Sequence, residues 1–166
     1  MSETIDPAIR KRVLREFTYG LYAVSAIHDG ERGIFTANWL SQVSFDPLLV
    51  AVSIERESST LPLIEASGRF AVATFRSDQR DLAAALGKPK VRAGDKFAAL
   101  DLEIVETASG IPVPGNLLGY VECALVSVTG AGDSVVVIGA VTEVRSLAEE
   151  DAAPLTMREA GFRHAG

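Results

Sequence analysis

Side chains that could bind a small molecule are concentrated in one stretch of the sequence, residues 34–60. Where a β-pattern should become a plain turn, the first half of this stretch carries hydroxyls, amides and one tryptophan. These residues are Thr36, Asn38, Trp39, Ser41, Gln42 and Ser44. Hydrogen-bond donors and acceptors beside a large aromatic side chain are suited to a ligand with a flat polar head.

The second half of the stretch predicts a site for an anion. Arg56 and the run Ser58-Ser59-Thr60 follow an apolar strand and precede a helical pattern. Free backbone N–H groups, hydroxyls and a guanidinium would then lie together, which is how proteins bind a phosphate. A ring-binding loop followed by a phosphate-binding helix start indicates a ligand with a flat head and a phosphate tail.

Each half also has a simpler explanation. Residues 56–60 could form only a capped helix beside a solvated arginine. Asn38 and Trp39 could form an edge turn with a tryptophan in the core, which is the commoner position of a single tryptophan.

The rest of the chain offers little competing chemistry. His28 and His164 are expected on the surface, and Cys123 is expected to be a small buried hydrophobe. The lysine-rich run 88–96 is expected to be a solvated loop, with attraction of nicotinamide-nucleotide phosphates as the alternative. No residues have metal-ligand spacing, and we name no catalytic acid.

Hairpins and short helices must position these residues. A hairpin is predicted, with a strand at 19–27, a turn at 28–33 and a second strand that ends near residue 38. Further strands are predicted at 48–54, 69–75, 102–107, 117–128 and 134–146. Helices are predicted at 6–17, 58–67 and 78–87, with Asp6 and Asp78 as N-caps and Gly68 and Gly87 as the ends of the second and third. Six or seven strands joined mostly by hairpins favour an antiparallel barrel.

Composition narrows the class of protein. The 166 residues are most simply one domain, residues 1–166, with 48% hydrophobic residues and a formal charge of −6. The negative charge argues against nucleic acid and anionic membrane surfaces as partners. No apolar stretch is long enough for a membrane span, and the acidic N-terminus does not resemble a signal peptide. We therefore expect a soluble, cytoplasmic protein.

The order and spacing of several short motifs are similar to a known family. The motifs are Tyr19-Gly20-Leu21-Tyr22, Thr36-Ala37-Asn38, Asp46-Pro47, Arg56 with Ser59-Thr60, residues 64–70, Asp78-Gln79, Lys96-Phe97, residues 118–123 and Gly139-Ala140-Val141. With them, the chain resembles the flavin reductase-like family of FMN-binding split barrels from Phe17 to the tail. Asn38-Trp39 and Gln42 are closest to its flavoredoxin and ferric-reductase-like branch.

The resemblance implies a mainly β fold, a six-stranded antiparallel split barrel of Greek-key type with short helices. It also implies a homodimer that binds FMN noncovalently near the subunit interface. Members pass electrons from NAD(P)H, or from a protein donor, to flavin, iron chelates or a partner monooxygenase. The redox chemistry is then that of the flavin, and the protein supplies position and electrostatics.

Carried over by position, the resemblance assigns roles to individual residues. The loop residues Thr36, Ala37, Asn38, Trp39 and Gln42 would lie at the flavin ring. The ribityl chain would follow Ser53, Ile54, Glu55 and Arg56, and the phosphate would bind Ser59 and Thr60. Phe97 or the tail around Phe162 would cover the ring from the second subunit.

One departure from the family pattern leaves alternatives open. The hairpin that often carries Gly-Asp-His has Gly132-Asp133-Ser134 here, which argues against a histidine-assisted nicotinamide site. The first hypothesis is an FMN-dependent oxidoreductase, and the second is a nonenzymatic FMN electron carrier. A split barrel that has lost flavin is the third, and the intact residues 36–60 argue against it.

Overall fold

The computed structural model of the protein describes residues 5–90 and 94–163. The strands are β1 (Tyr22–His28), β2 (Glu31–Ala37), β3 (Leu40–Phe45), β4 (Leu48–Glu55), β5 (Arg69–Thr74), β6 (Ile104–Glu106), β7 (Pro112–Pro114), β8 (Gly119–Ala131) and β9 (Ser134–Ser146). The helices are α1 (Pro7–Leu14), α2 (Leu61–Ser67), α3 (Arg80–Leu86), α4 (Lys96–Ala99) and α5 (Met157–Ala160). His164 and Arg92, the arginine of the lysine-rich run, lie outside the described residues.

Seven strands form one antiparallel sheet in the order β2-β1-β5-β8-β9-β4-β3, and β6 pairs with β7. The predicted mainly β, antiparallel architecture is confirmed, with seven strands in the main sheet rather than six. β1 and β2 form a hairpin with a two-residue turn at Asp29 and Gly30, both with positive φ. β8 and β9 form a second, much longer hairpin that turns at Gly132.

The sheet buries side chains on both faces. Along β5, Phe70 and Val72 belong to one apolar cluster, whereas Ala71 and Ala73 belong to another. Successive side chains of a strand point to opposite faces, so a single strand contributes to both clusters. The first cluster packs against α2, and the second packs against α3, α4 and the C-terminal segment.

The expected polar loop before Pro47 is a strand. β3 pairs with β4, and the register shifts between Gln42 and Ser44. The prediction was wrong because Ser41, Gln42 and Ser44 suggest a loop when the sequence is considered alone. On an edge strand these polar side chains face solvent, and main-chain pairing with β4 stabilises the strand.

The helix ends were predicted with mixed success. Gly68 ends α2 with a left-handed φ of 68°, as predicted. The N-cap of α3 is Gln79 and not Asp78, because Asp78 instead forms an ion pair with Arg76 at 3.0 Å. The lysine-rich run ends in a short helix, α4, which begins after the side-chain cap of Asp95.

Other expectations concern residues outside the 34–60 stretch. Cys123 is buried, as predicted, and burial together with Glu122 raises the pKa of its thiol to about 12. His28 ends β1 at the hairpin and is partly exposed. Within the described residues, no helix is long and apolar enough to cross a membrane, and no cluster of His, Cys, Asp or Glu could hold a metal ion.

Candidate functional site

A cleft of about 290 Å³ lies between the end of β2, the end of β4 and the segment that follows α3. It joins the two halves of the stretch that the sequence singled out. Eight of the twelve predicted ligand residues line it: Thr36, Ala37, Asn38, Trp39, Ser53, Glu55, Ser59 and Thr60. The ring-binding and phosphate-binding halves of the prediction therefore open onto one cavity.

Hydrogen bonds fix the wall of the cleft that β2 provides. The Thr36 hydroxyl donates to the carbonyl oxygen of Ala83 at 2.7 Å, which attaches β2 to α3. The Asn38 amide lies 2.8 Å from the sulfur of Met157 in α5. The carbonyl oxygen of Trp39 accepts from the backbone N–H of Ser53 at 2.9 Å, so the loop after β2 is also joined to β4.

A second groove of about 460 Å³ continues from the cleft on its Thr36–Asn38 side. Its walls include apolar side chains of α3, α5, the tail and the residue before β1: Ala83, Ala84, Met157, Phe162 and Leu21. The Arg80 guanidinium lies 5.4 Å from the centre of the Phe162 ring and holds the tail against α3. The polar cleft thus opens into an apolar groove, and the two have the dimensions of a small-molecule site.

The opposite end of the cleft is formed by the start of α2. Thr60 is 2% exposed and occupies the N-cap position, but its side chain makes no capping hydrogen bond to the helix. A Cβ atom at Gly33 would lie 2.7 Å from the Thr60 hydroxyl oxygen. Glycine at this position therefore allows β2 to pass against residue 60, and the Thr60 hydroxyl lies at the junction.

Lys96, which the sequence analysis left in a solvated loop, lines the same cleft. Lys96 is 6% exposed, and its ammonium donates to the carbonyl oxygens of Ile34 at 3.0 Å and Leu86 at 2.5 Å. Burial lowers the pKa of Lys96 to about 8. The signal that could have indicated its position is the capping residue Asp95, which starts a helix at Lys96.

Two further predicted residues lie near β4 but outside the lining of the cleft. Ile54 is 1% exposed and belongs to the core. Arg56 is exposed, and its Nε donates to the carbonyl oxygen of Gly132 at 2.9 Å. The side chain thus extends to the β8–β9 turn, and its predicted role at the ribityl chain stays a prediction.

The last two predicted residues are also outside the cleft lining. Gln42 lies on the exposed edge strand β3 and donates to the carbonyl oxygen of Ser44 at 3.2 Å. Phe97 is buried in the core, with the Arg32 guanidinium 5.1 Å from its ring centre. Their predicted contacts with a flavin ring are not formed by this cleft alone and stay predictions.

Ser134, from the hairpin that departs from the family pattern, lines the cleft. It is buried, and its hydroxyl donates to the Asp133 carboxylate at 3.1 Å. From the sequence alone, Ser134 marks only a missing histidine and is not predicted to be a residue of the site.

Comparisons with known proteins identify the family of this chain. Residues 14–166 match the flavin reductase like domain. The chain belongs to this family. The reductase subunit HsaB of a flavin-dependent monooxygenase from Mycobacterium tuberculosis is 33% identical over 155 residues, which cover 93% of this chain and 80% of that protein. A flavin reductase from Pseudomonas putida is 34% identical, with 89% and 85% covered.

Solved structures show that the fold is that of the flavin reductases. Nitrilotriacetate monooxygenase component B from Mycobacterium thermoresistibile superposes with a TM-score of 0.82 at 30% identity, covering 92% of this chain and 82% of the other. The flavin reductase PheA2 superposes with a TM-score of 0.79 at 26% identity, covering 98% and 99%. This protein is therefore an oxidoreductase of the flavin reductase type, and the predicted fold class is confirmed.

The residues of the cleft fit the flavin that this family implies. One end supplies the hydroxyls of Ser59 and Thr60 and the buried ammonium of Lys96, which are donors suited to a phosphate. The other end supplies Trp39 and Asn38 and opens into the apolar groove, which suits a flat ring. The distribution of donors and apolar surface in this flavin reductase therefore matches a ligand with a phosphate tail and a ring head.

Proposed function

We propose that the protein is an FMN-dependent reductase that takes electrons from NAD(P)H and passes them to free flavin, an iron chelate or a partner monooxygenase. The observation that carries the proposal is the single cleft that joins the 36–39 loop to Ser59 and Thr60. The relatives support the acceptor, since HsaB is the reductase subunit of a flavin-dependent monooxygenase. An acidic chain of this composition also supports a cytoplasmic location.

FMN is favoured over FAD by the number of anion-binding groups. The phosphate end of the cleft offers one cluster of donors, Ser59, Thr60 and Lys96. No second glycine-rich phosphate loop is present in the sequence. A single phosphate monoester matches one cluster, whereas the diphosphate and adenosine of FAD would need further contacts.

The chain's own residues bind and orient the ligand. When bound, the flavin supplies the redox chemistry, since its ring accepts and releases electrons. Backbone N–H groups of residues 36–39 are the candidates to hydrogen-bond the polar edge of the ring. The β2 wall keeps its shape through the contacts of Thr36 and Asn38, and the apolar groove excludes water from one side.

We further propose a homodimer that completes the site. The described surface carries apolar side chains that a single chain leaves exposed, including Ile9, Val13 and Phe17 near α1. Phe45, at the end of edge strand β3, is 91% exposed. A two-fold dimer is the commonest way to cover such surfaces, and it could bring a second subunit against the apolar groove.

The purified protein tests both proposals. It should be yellow, release FMN and not FAD on heat denaturation, and lose its visible absorbance when NADH or NADPH is added without oxygen. Light scattering should give about 35 kDa, twice the 17.6 kDa of one chain. A colourless protein that does not quench the fluorescence of added FMN would refute the flavin proposal. A monomer that binds FMN tightly at low micromolar concentration would refute the shared site.

Ser134 favours a second candidate, a nonenzymatic FMN carrier. It lies buried in the cleft lining at the position where family members often carry a histidine. If this position helps to place a nicotinamide, the protein will bind FMN but NAD(P)H will reduce it only slowly. The anaerobic titration distinguishes the two, since a carrier is reduced by dithionite or a protein donor but not by NAD(P)H.

A further inference from the structure

The described residues include two side chains with an oxidisable sulfur, Cys123 and Met157, and these lie in different environments. Cys123 is fully buried in the sheet. Burial together with Glu122 raises the pKa of its thiol to about 12, so the reactive thiolate is almost absent at neutral pH. A thioether needs no deprotonation, and its oxidation depends on whether an oxidant reaches the sulfur.

Met157 lies between two cavities. On one side it lines the apolar groove that continues from the cleft, together with Asn38 and Phe162. On the other side it lines a cavity of about 260 Å³ between the end of α1 and the tail, together with Phe17 and Tyr19. Although Met157 is only 8% exposed, an oxidant as small as hydrogen peroxide can therefore approach it through either cavity.

The sulfur of Met157 is also joined to the 36–39 loop. The Asn38 amide donates a hydrogen bond to it at 2.8 Å. A thioether sulfur has two lone pairs, and this hydrogen bond uses one of them, so the other can react. Any change at the sulfur is therefore felt by a residue that lines both the cleft and the groove.

The proposed function supplies an oxidant at this place. Dioxygen that takes two electrons and two protons from a reduced flavin becomes hydrogen peroxide. The groove is continuous with the end of the cleft that suits the flavin ring, and Met157 lines it. Peroxide formed in the cleft would therefore pass Met157 on its way out through the groove.

We propose that Met157 is a site of reversible oxidation by hydrogen peroxide, and that its oxidation weakens flavin binding in the adjoining cleft. A lone pair of the sulfur attacks one peroxide oxygen, the O–O bond breaks, and an S–O bond forms. The sulfur loses two electrons, and the second oxygen leaves as water. The effect on flavin binding rests on the proposed function, whereas the oxidation itself does not.

The sulfoxide changes the wall of the groove in two ways. Its oxygen is a stronger acceptor than a thioether sulfur, so the Asn38 amide is drawn away from its present position. The oxygen also adds bulk and polarity beside the apolar side chains of Leu21 and Phe162. Both changes occur at the ring end of the cleft, so a protein that loses electrons to dioxygen lowers its own affinity for flavin. Methionine sulfoxide reductases restore the thioether.

The first measurement needs no added flavin. The protein is treated with hydrogen peroxide, either folded or unfolded in urea, and is then digested with trypsin. The tryptic peptide 146–158 contains Met157 and no other sulfur. Mass spectrometry should show one added oxygen on this peptide in the folded protein, at a rate similar to that in urea. Cys123 should be oxidised only in urea, because the fold buries it.

The second measurement is the affinity for FMN before and after peroxide treatment, from quenching of flavin fluorescence. Oxidation should lower the affinity roughly threefold to tenfold, the value of about one hydrogen bond, and treatment with methionine sulfoxide reductases A and B should restore it. In Met157→Leu, peroxide should change the affinity no further, whatever its starting value. Cys123→Ala is the matched control for the other sulfur and should respond to peroxide as the wild type does.

Turnover in air distinguishes peroxide formed in the cleft from peroxide that arrives from solution. With FMN and NADH or NADPH present, Met157 should gain oxygen, and catalase in solution should prevent only the part caused by peroxide that has left the protein. A peptide 146–158 that stays unoxidised while peroxide accumulates would overturn the cleft as the source of the oxidant.

Two results would overturn the inference in a protein that binds FMN: protection of Met157 from peroxide to the same degree as Cys123, or complete oxidation of Met157 with unchanged FMN affinity. Neither requires a variant, so the inference can be refuted even if Met157→Leu does not fold. A wild-type protein that binds no flavin would overturn the proposed function instead. The two failures are distinguishable, because peptide mass reports the oxidation of Met157 without any flavin.

Discussion

Replacing Thr60 by valine should separate ligand binding from folding at the start of α2. Valine has nearly the same shape as threonine but no hydroxyl. An N-cap side chain that bonds the helix contributes about 1 kcal/mol to stability. Thr60 makes no such bond, although it occupies the N-cap position and is 2% exposed. The free energy of unfolding of the protein without ligand should therefore change by less than the roughly 1 kcal/mol that a capping hydrogen bond contributes.

The effect on the ligand should be much larger. One hydrogen bond from a hydroxyl to a phosphate oxygen contributes about 1.5–3 kcal/mol, so FMN affinity should fall roughly tenfold or more in Thr60→Val. Thr60→Ser keeps the hydroxyl and serves as the control, with affinity close to that of the wild type. Fluorescence titration gives the affinities, and urea unfolding without flavin gives the stabilities. A loss of about 1 kcal/mol in stability with unchanged FMN affinity would show that Thr60 is only a helix cap.

Two further changes test how the surrounding fold supports the cleft. Gly33→Ala should destabilise the protein by about 1–3 kcal/mol and weaken FMN binding, because the new Cβ would lie 2.7 Å from the Thr60 hydroxyl oxygen. Urea unfolding should show the loss of stability, and fluorescence titration should show the loss of affinity. Unchanged values would contradict the close packing. Glu122→Gln should cost about 1.5–3 kcal/mol at pH 7, because the buried carboxylate accepts from Arg69 at 2.8 Å and from the Ser109 hydroxyl at 2.7 Å. Burial alone raises the pKa of Glu122, but hydrogen bonds from Thr107, Ser109 and Arg69 outweigh it and hold the pKa below its ordinary value of 4.5. The stability difference between the wild type and Glu122→Gln should therefore be full above about pH 5 and shrink as the pH falls below about 4. A difference that does not depend on pH would contradict the charge-based explanation.

Features that depend on neighbouring residues in the sequence were predictable. The left-handed end of α2 at Gly68 follows from glycine's freedom at positive φ. The burial of Cys123 follows from the apolar residues of its strand. Thr36 and Thr60 line one cleft because each lies at the end of a strand or the start of a helix that the hydrophobic pattern defines.

Features that depend on distant partners were not predictable from patterns. β3 was missed although its partner β4 begins only two residues after it, because its polar side chains do not show the pattern of a buried strand and only the main-chain pairing reveals it. Arg56, by contrast, depends on a partner far away in the sequence. Arg56 has the residue type and position of a phosphate ligand, yet Gly132, 76 residues later, accepts its hydrogen bond. Nothing within residues 34–60 could show that the β8–β9 turn would lie within reach of the guanidinium.

Dependence on distant residues also explains why the cation at the hydroxyl-bearing end of the cleft, Lys96, comes from outside the 34–60 stretch. Lys96 reaches the cleft because it bonds Ile34, 62 residues earlier, and Leu86, at the end of α3. Thr36 in turn donates to Ala83, so β2 and α3 are joined by this hydrogen bond as well as through the lysine. Charge is long-ranged in a buried site and can be supplied by any segment that the fold brings near. Hydroxyl and backbone donors act only at contact, so they must come from the segment that forms the cleft wall. The local sequence could therefore predict the donors of the site, whereas its charge required the fold.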